Sequence, residues 1–187
     1  MMKRTIWAAA AVCALALAGC GEKGAESGGA GAASSAAGKA DWNAAGACSI
    51  LDKAAVGEAL KQNAGETLLG LVHEADSVTA STSECTYTGN EGVTVARLMT
   101  RWSPINDNTA ETIASTKAAT VSALKAFSDK PVEDIAGLGK AAFFVPGIDQ
   151  LTVFIDDARM ITLSLDKVPD GASGKDIALA LAKKAGA

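Results

Sequence analysis

The chain has little that speaks for catalysis. It holds a single histidine, His73, among 187 residues. A Ser/His/Asp set would have to use that residue as its base, and no nucleophile-elbow pattern surrounds any serine. A cluster of lysine and arginine is missing too: 17 basic residues face 21 acidic ones, for a net charge of −4. That balance excludes the electrostatic footprint of nucleic-acid binding and of peripheral docking onto anionic lipid. An apolar run long enough to span a bilayer is also lacking. The longest, Ile6 to Ala18, stops at Gly19, short of the about 20 residues that a transmembrane helix needs.

What the first forty residues do contain is an address. Lys3 and Arg4 precede the uncharged run from Ile6 to Ala18, the order of a secretory signal. The run ends in Leu17-Ala18-Gly19-Cys20, which resembles the lipobox of bacterial lipoproteins. The resemblance implies that residues 1–19 are a cleaved signal peptide and that Cys20 is lipidated. Each buried methylene of an acyl chain such as palmitate contributes about 0.8 kcal/mol, and stable attachment needs more than one chain. Gly21 follows, and in such lipoproteins a residue other than Asp at that place permits sorting to the outer membrane. The expected location is therefore the cell envelope: the outer membrane facing the periplasm in a Gram-negative host, otherwise the outer leaflet of the cytoplasmic membrane. From Gly21 to Ala40 the sequence is nearly all Gly, Ala and Ser, so residues 20–40 read as the lipidated cysteine and a flexible linker. Its root-mean-square reach is roughly 25 Å.

Residues 41–187 remain, the usual size of one domain. Removing Lys3 and Arg4 leaves 15 basic against 21 acidic residues, a net charge of −6. Cys13 leaves with the signal and Cys20 is acylated, so only Cys48 and Cys85 reach the folded domain, and in an oxidising compartment they most simply pair.

Hydrophobic periodicity divides the domain. Ser49 to Asp52 opens a first helix with Leu51, Ala55 and Ala59 on one face, ended by Asn63-Ala64-Gly65. Cys85–Thr88 and Val93–Trp102 read as a hairpin turned by Gly89-Asn90-Glu91-Gly92. Asn108-Thr109-Ala110-Glu111 resembles a capping box leading a helix to about Phe127, with Ala110, Ile113, Ala114, Val121 and Leu124 as its stripe. Ala141–Val145 is a short strand, and Gln150–Ile155 and Arg159–Leu165 alternate cleanly as a second hairpin. Ser173 caps a last helix whose Lys183 and Lys184 suit its negative end. The order predicts an α+β fold: an antiparallel sheet built from two helix-plus-hairpin halves, with helices packed on one face.

Cys48-Ser49-Ile50-Leu51 at a helix start, Cys85-Thr86-Tyr87 in a strand, and Gly137-Leu138-Gly139 before a strand with Ala142 and Phe143 together resemble uncharacterised small bacterial lipoprotein domains, actinobacterial ones included. The resemblance covers most of Ala47 to Leu165, with Ile50 where leucine is commoner. It implies the fold and a disulfide between the two cysteine motifs. Such domains have no assigned reaction, so no catalytic residue carries over.

Candidate sites divide by what their surroundings allow. His73, Glu74 and Asp76, with Glu84 nearby, offer the nitrogen and oxygens of a divalent metal site, but lack the helical spacing that would bring them together. Gly137 to Ala142 matches a dinucleotide loop only superficially, since no helix follows, and reads as a tight turn. Trp102, Tyr87 and the Arg97 and Arg101 pair combine apolar area with hydrogen-bond donors, the mix favoured at binding surfaces. A sheet face left bare by helices would be the place for such a surface. The expectation is a tethered, non-enzymatic binding or interaction domain with no metal or cofactor. It would be held to the membrane by its lipid and would meet an envelope protein or small ligand, not nucleic acid. The alternative is an envelope hydrolase using a metal bound by His73, Glu74 and Asp76.

Replacing Cys20 with Ser is expected to move the protein from the membrane fraction to the soluble fraction of fractionated cells. Retention in the membrane pellet would contradict lipid attachment.

Overall fold

Burial along Ser81–Thr88 alternates residue by residue, the mark of a strand with one face on a core. The computed structural model describes residues 42–63, 65–126 and 128–187. The leader, Cys20, the linker and Phe127 lie outside the described residues.

Seven strands form one antiparallel sheet: β1 (Thr67–His73), β2 (Ser81–Thr88), β3 (Thr94–Trp102), β4 (Glu133–Ile135), β5 (Ala141–Val145), β6 (Gln150–Phe154) and β7 (Arg159–Leu165). Their spatial order is β1-β2-β3-β7-β6-β5-β4, so two consecutive meanders meet where β3 pairs with β7. Four helices accompany them: α1 (Ala47–Ile50), α2 (Lys53–Ala59), α3 (Ala110–Leu124) and α4 (Gly174–Lys184). The fold is α+β and dominated by its sheet. Among the described residues no helix is long and apolar enough to cross a membrane.

One sheet face carries the main core. Leu98 of β3, Leu151 and Val153 of β6, and Ile161 and Leu163 of β7 are fully buried there against Leu51, Val56, Ala178 and Leu181 from the helical segments. A fully buried side chain of this size contributes roughly 1.5–3 kcal/mol. Ser173 accepts from the Asp176 N–H and so caps α4, as its sequence predicts.

The helices are not confined to that face. On β5 and β6 both parities are apolar: Phe143 and Val145 face away from Ala142 and Phe144, and Phe154 faces away from Val153. A strand apolar on both sides must be covered on both, and α3 supplies the second cover, with Leu124 packed on Phe143, Val145 and Phe154. The expectation of helices on one face is therefore corrected. The packed stripe of α3 also differs. Ile113, Val121 and Leu124 turn inward, but Ala110 and Ala114 are exposed, and Thr112, Thr116 and Thr120 take the inner positions. The hydroxyls of Thr116 and Thr120 donate to carbonyls four residues back, which satisfies them within the helix.

The first helix is broken. Leu51 is extended, and Asp52 caps a separate α2 by accepting from the Ala54 N–H. The break leaves the Leu51 carbonyl free to accept from the Tyr87 hydroxyl at 2.7 Å, which satisfies a phenol that is otherwise fully buried. Two other inward residues of β2 hold the same segment. The Ser83 hydroxyl donates to Ala44 O at 2.6 Å and accepts from the Ala47 N–H at 2.9 Å. Cys85 is disulfide-bonded to Cys48, with Cα atoms 4.9 Å apart. From β3, Thr100 adds a second donor to Ala44 O.

A cross-link closing 37 residues stabilises by roughly 3–4 kcal/mol in the chain-entropy description. Cys48→Ala is therefore expected to lower the melting temperature by on the order of 10 °C. An unchanged melt under oxidising conditions would show that the disulfide contributes nothing to the fold.

Candidate functional site

The parity that buries Leu98 and Leu163 turns their strand neighbours to the other side. There β2, β3 and β7 line up in cross-strand rows. Glu84 stands beside Met99 and Thr162, Thr86 beside Arg97 and Ser164, and Thr82 beside Arg101 and Met160. α3 packs over β5 and β6 and its cluster takes in Met160 of β7, so among the described residues the Glu84–Met99–Thr162 and Thr86–Arg97–Ser164 rows are left without a helical cover. Along their edge lies a cavity of about 410 Å³ lined by Glu84, Arg97, Met99, Gln150, Thr162 and Ser164, with Ile148, Leu165 and Asp166 at its rim.

Two arginines dominate the charge of this face, and each has its own carboxylate. Arg97 donates through Nε and Nη2 to Asp166, just past the end of β7. The Asp166 hydrogen bond and charge raise the Arg97 pKa, with Glu84 adding to the effect. Arg101 grips Asp107 with two donors at 2.5 and 2.9 Å. That contact holds the Asp107 carboxyl below its ordinary range. The Arg97 side chain is still 47% exposed, so one edge of its guanidinium is open to a ligand. Gln150 donates to the Ser164 hydroxyl at 3.1 Å, which fixes the amide at the cavity wall. The face thus offers two ion-paired guanidinium groups, the Glu84 carboxylate, several hydroxyls, the Met99 thioether and the exposed apolar side chain of Ile148.

The four residues singled out from sequence do not share a surface. Arg97 and Arg101 lie together on the open face. Tyr87 points to the opposite side, where it is 1% exposed and serves the core. Trp102 follows the parity of Leu98 and Thr100 toward the helix-covered side, partly exposed at the end of its strand. Met99, Thr162, Ser164, Gln150 and Asp166 were not singled out. Their signal was the strand parity opposite to the leucines, which marks the second face as plainly as the first.

The acidic and histidine candidates also separate. His73 ends β1 opposite Thr82, and Asp76 is used locally, accepting from the Val78 and Thr79 N–H groups and the Thr79 hydroxyl. Those bonds lower the Asp76 pKa. Among the described residues no three His, Cys, Asp or Glu side chains gather to hold a metal ion. At Gly137-Leu138-Gly139 the two glycines have φ of 75° and 59°, and a Cβ on Gly139 would lie 2.5 Å from the Phe154 carbonyl oxygen. This is a tight turn against β6, as its sequence predicts.

Comparison with known proteins finds no matching family model, no matching curated protein and no matching solved structure.

The Asp107 pKa is depressed in the folded state, so the stability it contributes is present above the unfolded value near 3.9 and is lost as pH falls through the folded value. The melting temperature is expected to change little between pH 7 and about 4.5 and to fall below about 4. Asp107→Asn should lower the neutral-pH melt slightly and flatten part of the acid decline. An acid decline identical to that of the unsubstituted protein would show that the Arg101–Asp107 pair carries no linkage.

Proposed function

We propose that this protein is a lipoprotein of the bacterial cell envelope, tethered through Cys20, whose folded domain binds a small ligand or partner protein without transforming it. The lipobox-like Leu17-Ala18-Gly19-Cys20 and the polar linker support the tether. The disulfide between Cys48 and Cys85 suits an oxidising compartment. The cysteine and glycine motifs support kinship with small bacterial lipoprotein domains. The binding role is carried by one observation: half of one sheet face is left without a helix, and a mixed polar and apolar cavity lies there. An envelope hydrolase built on His73, Glu74 and Asp76 finds no support in their geometry.

Two helix-plus-meander halves give this sheet its simplest description. Each half opens with a helical segment, and their last strands, β3 and β7, pair at the centre. On this reading each expected hairpin has an additional outer strand, β1 or β4, and the open face is the first half's share of the side that α3 covers in the second.

A photoreactive amino acid at Thr162 of the full-length chain, activated in intact cells, is expected to form an adduct that mass spectrometry resolves. The same probe at Ser122, on the exposed side of α3, should form none. Arg97→Glu, with its fold checked by its melt, should reduce the Thr162 adduct at least tenfold. Equal capture from both positions, or none from Thr162, would defeat the open-face assignment.

A further inference from the structure

The two edges of the sheet are unlike each other. At one end β4 is three residues long, and its Glu133 and Asp134 are paired with Lys175 and Lys117. Short, charged edges resist further strand pairing. At the other end β1, Thr67-Leu68-Leu69-Gly70-Leu71-Val72-His73, has no lysine, no acid and no proline. Among the described residues nothing pairs with its outer side, which leaves a row of backbone N–H and C=O groups turned outward. Its apolar side chains are bare as well: Leu68, Leu69, Leu71 and Val72 are 69, 43, 74 and 50% exposed, and Val78 in the following loop is 65% exposed.

Leu71 adds a second mark. It sits in the bulge between Gly70 and His73 with φ of 51°, a conformation that bulky L residues rarely adopt. Among the described residues it is the one apolar residue outside glycine held this way. The bulge turns the most exposed leucine of the strand to solvent, where nothing in this chain's described residues packs on it.

We infer that β1 is the interface of a homodimer, in which two copies pair their β1 edges antiparallel about a two-fold axis within Thr67–Gly70. Of the candidate occupants, an extended strand is the one that can take up these backbone groups in place of water, whereas a helix or a flat lipid surface would displace the water and leave them unsatisfied. The absence of charge removes the usual barrier to a strand pairing with its own copy, since no like charges are brought together. Closure follows from the opposite edge: β4 cannot continue the sheet, so the assembly stops at two copies and does not grow into a filament. At roughly 100 Å² for each Leu- or Val-sized side chain, the exposed apolar groups offer about 300 Å² per copy. The paired backbone adds to this. That lies below the about 800 Å² per partner of a standard interface, so the dimer forms and separates readily.

The test uses the full-length chain in intact cells with a photoreactive amino acid at Leu68. The expected product has twice the monomer mass, and its crosslinked peptides both contain Thr67–His73. Leu69→Lys with Val72→Lys, both exposed positions, should reduce that product at least tenfold while leaving the melt unchanged. The proposal is overturned by adducts solely to another protein, by adducts solely within one chain to residues 1–41, by no adduct, or by a doubled product undiminished by the two lysines. Capture from Thr162 is read separately, because that residue lies across two strands from β1, so failure at one surface is distinguishable from failure at the other.

Discussion

Three alternate residues of β2 tie down the segment that closes the sheet. Ser83 bonds the backbone at both Ala44 and Ala47, Cys85 is joined covalently to Cys48, and Tyr87 takes the carbonyl of Leu51. They share a face because a strand turns every second side chain the same way. With Thr100 and the burial of Leu51 and Val56, they hold a short and broken stretch on the sheet, since helices of four and seven residues do not hold their own shape in water. The helical segment ahead of β1 therefore depends on side-chain chemistry in β2 as well as on helix propensity, and Leu51 reaches the core beside that row.

The open face is a consequence of where apolar residues stop. In β5 and β6 they occupy both parities, which calls α3 to the second side. In β3 and β7 the leucines and Ile161 occupy one parity, and past the buried Val95 the other carries Arg97, Met99, Arg101, Met160, Thr162 and Ser164. No second layer is needed there, because hydroxyls and ion-paired arginines are already satisfied in contact with water. The open face and the core thus come from the same alternation, read on opposite sides of the same strands.

That alternation is why β3, β6 and β7 were legible in the sequence; β5 was legible as a short apolar run, α4 by its Ser173 cap, and the disulfide because only two cysteines reach the folded domain. Where it fails, so does the reading. β1 is apolar on both sides but buried on neither, so it shows no period of two, and β4 is too short and acidic to show one. β2 begins at Ser81 and not at Cys85 because Ser81 and Ser83 are buried polar residues, invisible to a hydrophobic pattern. The continuous first helix was misread for a tertiary reason: the break at Leu51 satisfies a phenol that lies 36 residues further along the chain. The N-cap of α3 is Thr109, while Asn108 turns inward to donate to the Asp156 and Arg159 carbonyls, a partnership no local spacing announces. At the site the arginines were legible and their partners were not, since Asp166 and Asp107 are fixed by loop geometry.

In the proposed binding role, the pairing of each arginine with its own carboxylate would set how a ligand is recognised. Arg97 with Asp166 and Arg101 with Asp107 leave little net charge on the face, so long-range attraction is weak and contacts act at short range. For a ligand bearing a carboxylate or phosphate, the negative charge of Asp166 opposes the approach even to the open edge of Arg97. A neutral ligand with both donors and acceptors meets no such competition: it can use the free edge of the guanidinium, the Glu84 carboxylate, the hydroxyls of Thr162 and Ser164, and the Met99 and Ile148 surfaces together. Under the proposed binding role, the low net charge of the rows favours a polar, uncharged occupant over an anion.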